Sequence, residues 1–335
     1  MTKVNGENAF NYWKISAELD GSNVIVHRNL SLVYFNKLSD SENALYEMEK
    51  AFRLCPDSSR ILYELDQLYK QTNYPVKKRL KLLADNMELV NERDDLYTEF
   101  VTLLNIENYS DKALKYMSTR HFHPWEGGEG KITAQYRKAL MSLSYDCIKN
   151  GDFDDAAEKL ESALVFPENL GEGKLYGAPD NDIYFLLGMV YETRDHIKSQ
   201  KYYQLASQST SDLTSAVYYN DCPPEMMFYQ ALAEKNLGNI KKSKSLLNRM
   251  INYGLEHMYD KQHIDYFAVS LPDFLIFETD LDRKNRADCN YLIALGYIGL
   301  GEKEKAEKYI SLGLNEIASH QGLCELNNLF RKDNE

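Results

Sequence analysis

The strongest constraint on how this chain folds is a spacing. A glycine is followed five residues later by a small residue in three separate places, Gly151 to Ala156, Gly238 to Ser243 and Gly301 to Ala306. Glycine ends a helix readily because it takes up the left-handed backbone that side chains resist. A small residue in the first turn of the next helix lets the two helices cross closely. Recurrence of the same offset along 335 residues marks a repeated helix pair, and a period of roughly 20–50 residues decides the architecture before any local assignment does.

The unit is clearest from Arg137 to Glu168. Leu140, Leu143, Ser144 and Cys147 mark one helix face, Gly151 follows Lys149-Asn150, Ala156, Leu160 and Ala163 mark the second helix, and Pro167 stands past its end. This arrangement resembles the tetratricopeptide pattern. The same frame fits Arg28, Leu32 and Phe35 followed by Ala44, Met48, Ala51 and Pro56, and then Tyr97, Phe100 and Leu104 followed by Ala113 and Met117. It recurs from 181 (Tyr184, Leu187, Gly188, Tyr191, then 201–208), around 224–254 (Met227, Gln230, Ala231, then Ser243, Leu247, Met250) and from 287 (Ala294, Tyr297, Gly301, Ala306, Ile310). Helices are also expected over 10–19, 60–70 and 76–90. The expected fold is all-α, a tetratricopeptide-type α-solenoid: a right-handed superhelix of helix pairs with long inter-repeat loops. Amino-terminal helical repeats would span 1–93 and repeats with inserted motif loops 94–330, as one continuous solenoid. The competing reading, an unrelated bundle with chance alanines, does not account for the three matched glycine offsets.

Charge and composition narrow the partners. A formal net charge of −12 repels nucleic-acid backbones and anionic lipid, and no stripe of Lys and Arg with interleaved aromatics offsets it. Neither nucleic acid nor membrane is an expected partner. The 44% apolar content falls in short amphipathic segments rather than a run able to span a bilayer. The first eight residues lack the pattern of a secretory signal, so the expected location is cytoplasmic. Five scattered cysteines offer neither a disulfide framework nor a Cys-x-x-Cys metal knuckle, and read as small buried hydrophobes. The 25 tyrosines suit repeat packing, or a groove wanting an apolar body with a polar tip.

Function is expected where the repeat is interrupted. His121-Phe122-His123-Pro124-Trp125-Glu126-Gly127-Gly128-Glu129-Gly130-Lys131 is not needed by a helix pair, and its Gly-Glu-Gly-Lys core returns one unit later in Glu168-Asn169-Leu170-Gly171-Glu172-Gly173-Lys174. Asp221–Glu225 and Asp265–Glu278 interrupt the next two units. All four follow the second helix of a pair, so they should line one side of the array and converge on a cleft.

The residue types there suggest several chemistries. His121 and His123 point the same way on an extended segment, yet a third metal ligand at ordinary spacing is missing, so no metal is assigned and no cofactor is expected. Trp125 beside Glu126 suits stacking on a sugar ring with hydroxyls bridged to acids, or a plug onto the helices. Glu126 and Glu172 are candidates for a general acid and base in glycoside chemistry. Glu129, Glu168 and Lys174 complete the loop set, with Lys131 and Lys174 placed to neutralise the glutamates. Asp182 and Glu225 are helix caps or ligands, and Asp273 lies in the most apolar loop. Gly-Glu-Gly-Lys lacks the spacing and the following Ser or Thr of a phosphate-binding loop.

The three stretches 121–130, 168–175 and 266–274 resemble the carboxy-terminal tetratricopeptide region of a bacterial family of unassigned function, over about 95–320. Larger members of that family carry an aldose-epimerase-like β-sandwich region in front of the repeats. The resemblance implies a carbohydrate-linked setting, with a sugar or a β-sandwich domain as partner. This chain lacks the β-sandwich, which leaves open whether it is a fragment or a separate subunit. Three functions remain: a binding and interaction module with a loop-lined groove for a sugar or a partner domain, part of a carbohydrate-active enzyme using loop carboxylates, and a peptide-binding scaffold. Without an identifiable nucleophile or cofactor motif, the module is favoured over the enzyme.

Overall fold

The computed structural model describes residues 2–125, 127–208, 213, 222–262 and 276–332, and among them every regular element is helical. The chain divides into two compact units, Met1–Phe100 with Phe274–Asp280, and Val101–Asp273 with Leu281–Glu335. Among the described residues no helix is long and apolar enough to cross a membrane.

The first unit holds α1 (Thr2–Leu19), α2 (Val24–Leu38), α3 (Ser41–Leu54), α4 (Ser59–Gln71), α5 (Val76–Asp85), α6 (Met87–Val90) and the start of α7 (Asp94–Ile106). Asn23, Asp40 and Ser58 accept backbone N–H groups at the starts of α2, α3 and α4, satisfying donors that the first helical turn leaves open. Ala44, Met48 and Ala51, the small and flexible positions of the repeat frame, are fully buried. Arg79 on α5 is enclosed as well, and its guanidinium bonds Asp66 at 2.9 and 2.7 Å and Glu99 at 3.2 Å.

The apolar segment 265–278 is described only from Ile276 onward, and those residues join the core of the first unit. Phe277 is 1% exposed and meets Phe35 edge-on at 5.4 Å. Asn36 holds the backbone on both sides, donating to Ile276 O and accepting from Glu278 N.

The second unit contains the clearest repeats: α8 (Ser110–Ser118), α9 (Lys131–Asn150) with α10 (Phe153–Ala163), α11 (Asn181–Tyr191) with α12 (His196–Ala206), α13 (Met226–Asn236) with α14 (Ile240–His257), and α15 (Leu281–Leu300) with α16 (Lys303–Glu316). Gly151, Gly238 and Gly301 have φ of 83°, 85° and 80°, the left-handed turn expected at each pair. Ala156, Ser243 and Ala306 lie buried five residues on, where the pair crosses. Each second helix packs on its own first helix and, for α10, α12 and α14, on the first helix of the next pair, while α9, α11, α13 and α15 also contact one another in series. First helices therefore form one layer and second helices another, a tetratricopeptide-type helical solenoid.

The last described helix, α17 (Gln321–Lys332), is not part of the repeat frame read from the sequence. His320 starts it: its Nδ1 accepts the Leu323 N–H at 3.2 Å, which leaves Nε2 as the donor to Asp288 Oδ1 at 3.1 Å. Leu323, Leu326 and Phe330 pack against Ala294 and Ile310 of the final pair.

Candidate functional site

The loops at 121–131 and 167–180 are bonded to each other. Phe122 N donates to Asn169 O at 2.8 Å, and Asn169 Nδ2 donates to Met117 O and Arg120 O, both at 2.8 Å. Gly171 has φ 75°, and a Cβ there would fall 2.4 Å from Phe122 O, so the glycine permits both the turn and the approach. Phe122 is buried while His121 and His123 on either side face solvent. Trp125 is half-buried, and its indole lies where a Cβ on Gly128 would be, 1.9 Å from Cε2.

Much of the chemistry anticipated in these loops is used for building them. Glu172 Oε2 accepts the Gly130 N–H at 2.8 Å, at the start of α9, which makes it a cap supplied from a neighbouring loop. Burial pushes the Glu172 carboxyl above its ordinary value, the Gly130 amide opposes this, and the nearby Glu129 adds to the rise. Lys174 does not neutralise Glu172. It donates to Asp180 Oδ2 at 2.5 Å and to Leu164 O at 3.2 Å. Glu168 is exposed in a short 3-10 turn, and Glu129 is half-buried. Glu126 and Asp273 lie outside the described residues. No group of three or more His, Cys, Asp or Glu suited to a metal ion occurs among the described residues.

From Lys174 the ion pairs continue inward. Asp180 also accepts Arg137 Nη1 at 2.6 Å, and Arg137 Nη2 reaches Asp182 Oδ1 at 2.8 Å. Asp182 thus works both as an ion-pair partner and as an acceptor for Ile183 N in the first turn of α11. Burial works against the Arg137 charge, but Asp182 and Asp180 outweigh it and hold the guanidinium above its ordinary value.

Arg137 leads to the layer of first helices, whose polar side chains share one electrostatic environment. Lys138 of α9 bonds Glu325 of α17 at 3.1 Å to both carboxylate oxygens. Burial opposes the Lys138 charge, and Glu325, Glu225 and Asp182 together more than compensate. Glu225, at the start of α13, makes no side-chain cap bond and no ion pair with any described residue. Burial raises its carboxyl, its own backbone N–H and Lys138 offset this in part, and Asp182 and Asp288 add to the rise. Tyr229, one turn further on α13, and Tyr291 on α15 are both pushed above the ordinary phenol range, first by burial and then by carboxylates that include Glu225, Asp182 and Glu325. Lys138, Asp182, Glu225, Tyr229, Tyr291 and Glu325, borne by five helices of the second unit, thus lie within electrostatic reach of one another.

Of the residues singled out in the sequence, Asp182 and Glu225 belong to this group. Lys138, Tyr229, Tyr291 and Glu325 carry no motif that marks them in the sequence. A signal for three of them exists: Lys138, Tyr229 and Tyr291 fall on first helices, whose exposed side a repeat array gathers into one surface. A depression along α14, lined by Ser245, Asn248, Arg249 and Tyr253 among others, includes none of the residues proposed from the sequence.

No protein-family model matches the chain. Among solved structures it is similar to a tetratricopeptide repeat protein from Parabacteroides merdae, at a TM-score of 0.44 and 12% identity over 90% of this chain and 97% of that one. It is similar to YrrB, a TPR protein with an unusual peptide-binding site, at a TM-score of 0.38 and 17% identity over 58% of this chain and 90% of that one. The TPR domain of P58(IPK) is another such structure, at a TM-score of 0.32 and 16% identity over 92% of this chain and 99% of that one.

Proposed function

We propose that the chain is a helical-repeat interaction module that binds an extended or helical segment of a partner protein over the first-helix layer of its second unit, and that the segment presents a lysine or arginine to Glu225. The observation that carries this reading is Glu225: a half-buried carboxylate at the start of α13 with no described ion-pair partner, within electrostatic reach of Lys138, two tyrosines and further carboxylates. A carboxylate partly removed from water and crowded by like charges gains from a cationic group brought from outside. Aromatic faces such as those of Tyr229 and Tyr291 suit the same cation. Lys138 and Arg137 are already engaged by Glu325, Asp180 and Asp182.

The carbohydrate-linked reading, with a sugar or a β-sandwich domain as partner, rests on a different place. Trp125 keeps part of its indole open, next to exposed His123 and half-buried Glu129, a combination that suits a sugar face. Glu172 as a catalytic acid or base is less favoured, because it already caps α9.

One experiment separates the readings. The full chain is immobilised and used to select from a random twelve-residue peptide library, and in parallel is probed with a glycan array. The module reading expects enriched peptides rich in Lys or Arg that lose binding on Glu225→Gln. Glycan binding that disappears on Trp125→Ala, with no Glu225-dependent peptide, would overturn it in favour of the loop site.

A further inference from the structure

Residues 276–279 form no helix, yet side chains of the first unit reach each of them in turn. One amide engages the backbone: Asn36 Nδ2 donates to Ile276 O at 2.7 Å, and Asn36 Oδ1 accepts the Glu278 N–H at 2.9 Å. These are the carbonyl before Phe277 and the N–H after it. Phe277 is 1% exposed, meets Phe35 edge-on, and belongs to one apolar cluster with Ala44, Met48 and Ala51 of α3 and Ile61 and Leu65 of α4. Beyond it, Lys37 Nζ binds Glu278 Oε1 at 2.8 Å and Gln71 Nε2 donates to Thr279 Oγ1 at 3.2 Å. Asn36 and Lys37 stand near the end of α2 and Gln71 at the end of α4, so the segment crosses from one helix end to the other.

The contacts are those by which proteins hold linear peptides. Main-chain bonds give affinity for any sequence, and the pocket between them selects the side chain. Here a single aromatic anchor is enclosed, while Ile276 is half-buried and Glu278 and Thr279 are exposed. An enclosed aromatic anchor ringed by weaker contacts is also how binding energy is distributed at interfaces. Asn36 and Ile276 lie 240 residues apart in the chain. None of these contacts depends on covalent continuity, so a segment of another protein with the same side chains can make all of them.

We infer that the first unit holds a peptide-binding site of its own, for a linear partner-protein segment in which phenylalanine is preceded by an aliphatic residue and followed by an acid, and that 276–279 is a built-in competitor for it. Asn36 reads the backbone, the pocket beside Phe35 takes the phenylalanine, and Lys37 favours the acid. A tethered competitor acts at an effective concentration on the order of millimolar. External segments therefore bind the native chain weakly, and bind tightly once the competitor loses its anchor. The site is independent of Glu225, which belongs to the second unit.

The test uses the full chain carrying Phe277→Ala and, as probe, a fluorescent peptide of sequence 276–280 with blocked ends. By anisotropy the peptide should bind this variant at least about tenfold more tightly than it binds the native chain. It should also raise the variant's thermal midpoint by about 5 °C when it stands about a hundredfold above its Kd. Adding Asn36→Ala should weaken binding about tenfold, the loss of two backbone bonds, whereas adding Lys37→Ala should weaken it only about twofold, as for an exposed pair. Circular dichroism checks folding; should Phe277→Ala not fold, Phe277→Leu, a smaller loss of volume, takes its place. Absence of binding to the folded variant, or binding indifferent to Asn36→Ala, would overturn the site. Equal affinity for native and variant chains would overturn the built-in competitor. If gel filtration shows the native chain pairing with the variant chain, and the peptide dissolves that pair, the occupant is a second copy and the assignment to a partner protein fails. Each outcome is distinct from the fate of peptides selected through Glu225.

Discussion

Glu225 forms no ion pair with a described side chain, and Lys138 and its own backbone N–H offset its burial only in part, which shows in its titration. Burial raises its carboxyl above the ordinary value, so the folded chain holds that proton more tightly than the unfolded chain does. The ionised carboxylate is then a cost to folding that appears as pH rises from the ordinary carboxylate value through the raised one, and is absent below that interval. Glu225→Gln should stabilise the protein at pH 7 by ~1 kcal/mol, roughly 2 °C in thermal midpoint. That gain should vanish below about pH 4. Thermal melts at the two pH values check it, and equal midpoints at pH 7 would contradict the unpaired charge. Asp66 presents the opposite case, a buried carboxylate fully engaged by Arg79. Asp66→Ala leaves that enclosed guanidinium with Glu99 at 3.2 Å in place of a two-point carboxylate, and a loss of about 3 kcal/mol in denaturant unfolding is expected. Sequence reading flagged Glu225 as a cap or a ligand and could go no further, since a cap differs from a ligand only in where the side chain points.

Between residues and the whole, the informative elements are the two joined loops and α17. The loops were legible because glycine and tryptophan stood out against a helical background, and their mutual contact followed from their equivalent places in successive repeats. Their internal bonding was not legible: nothing in Gly-Glu-Gly-Lys tells that Glu172 reaches Gly130 of the other copy or that Lys174 turns to Asp180. Gly171 and Gly177 separate two effects in this region. Both have positive φ, 75° and 80°, but a Cβ on Gly171 meets Phe122 O at 2.4 Å and one on Gly177 meets open space. Gly177→Ala should cost about 1 kcal/mol from backbone strain alone, and Gly171→Ala about 1–3 kcal/mol more, from the forced separation of the loops. Equal losses in urea unfolding would show that the loops are not held together as described. The helix α17 is not marked by the repeat frame because no turn glycine stands just ahead of it. Its apolar positions Leu323, Leu326 and Phe330 were nonetheless at helical spacing.

At the scale of the whole molecule, the matched glycine offsets were enough to give the helix pairs, because a repeat fixes packing positions many times over. The proposed binding surface is not legible from the same signal, since first-helix residues that face outward and those that pack inward share one periodicity. Attention to unusual loop residues led toward Trp125, whereas the unpaired carboxylate lies among the ordinary-looking residues of α9, α11, α13, α15 and α17. The affinity of the selected peptides for the full chain, compared between Glu225→Gln and Trp125→Ala, tests the assignment most directly. Loss of a charge-assisted contact at Glu225 should weaken binding about tenfold or more, while Trp125→Ala should leave it within about twofold, as a change outside an interface does. Binding that withstands Glu225→Gln and fails on Trp125→Ala would contradict the first-helix layer at Glu225 as the binding site.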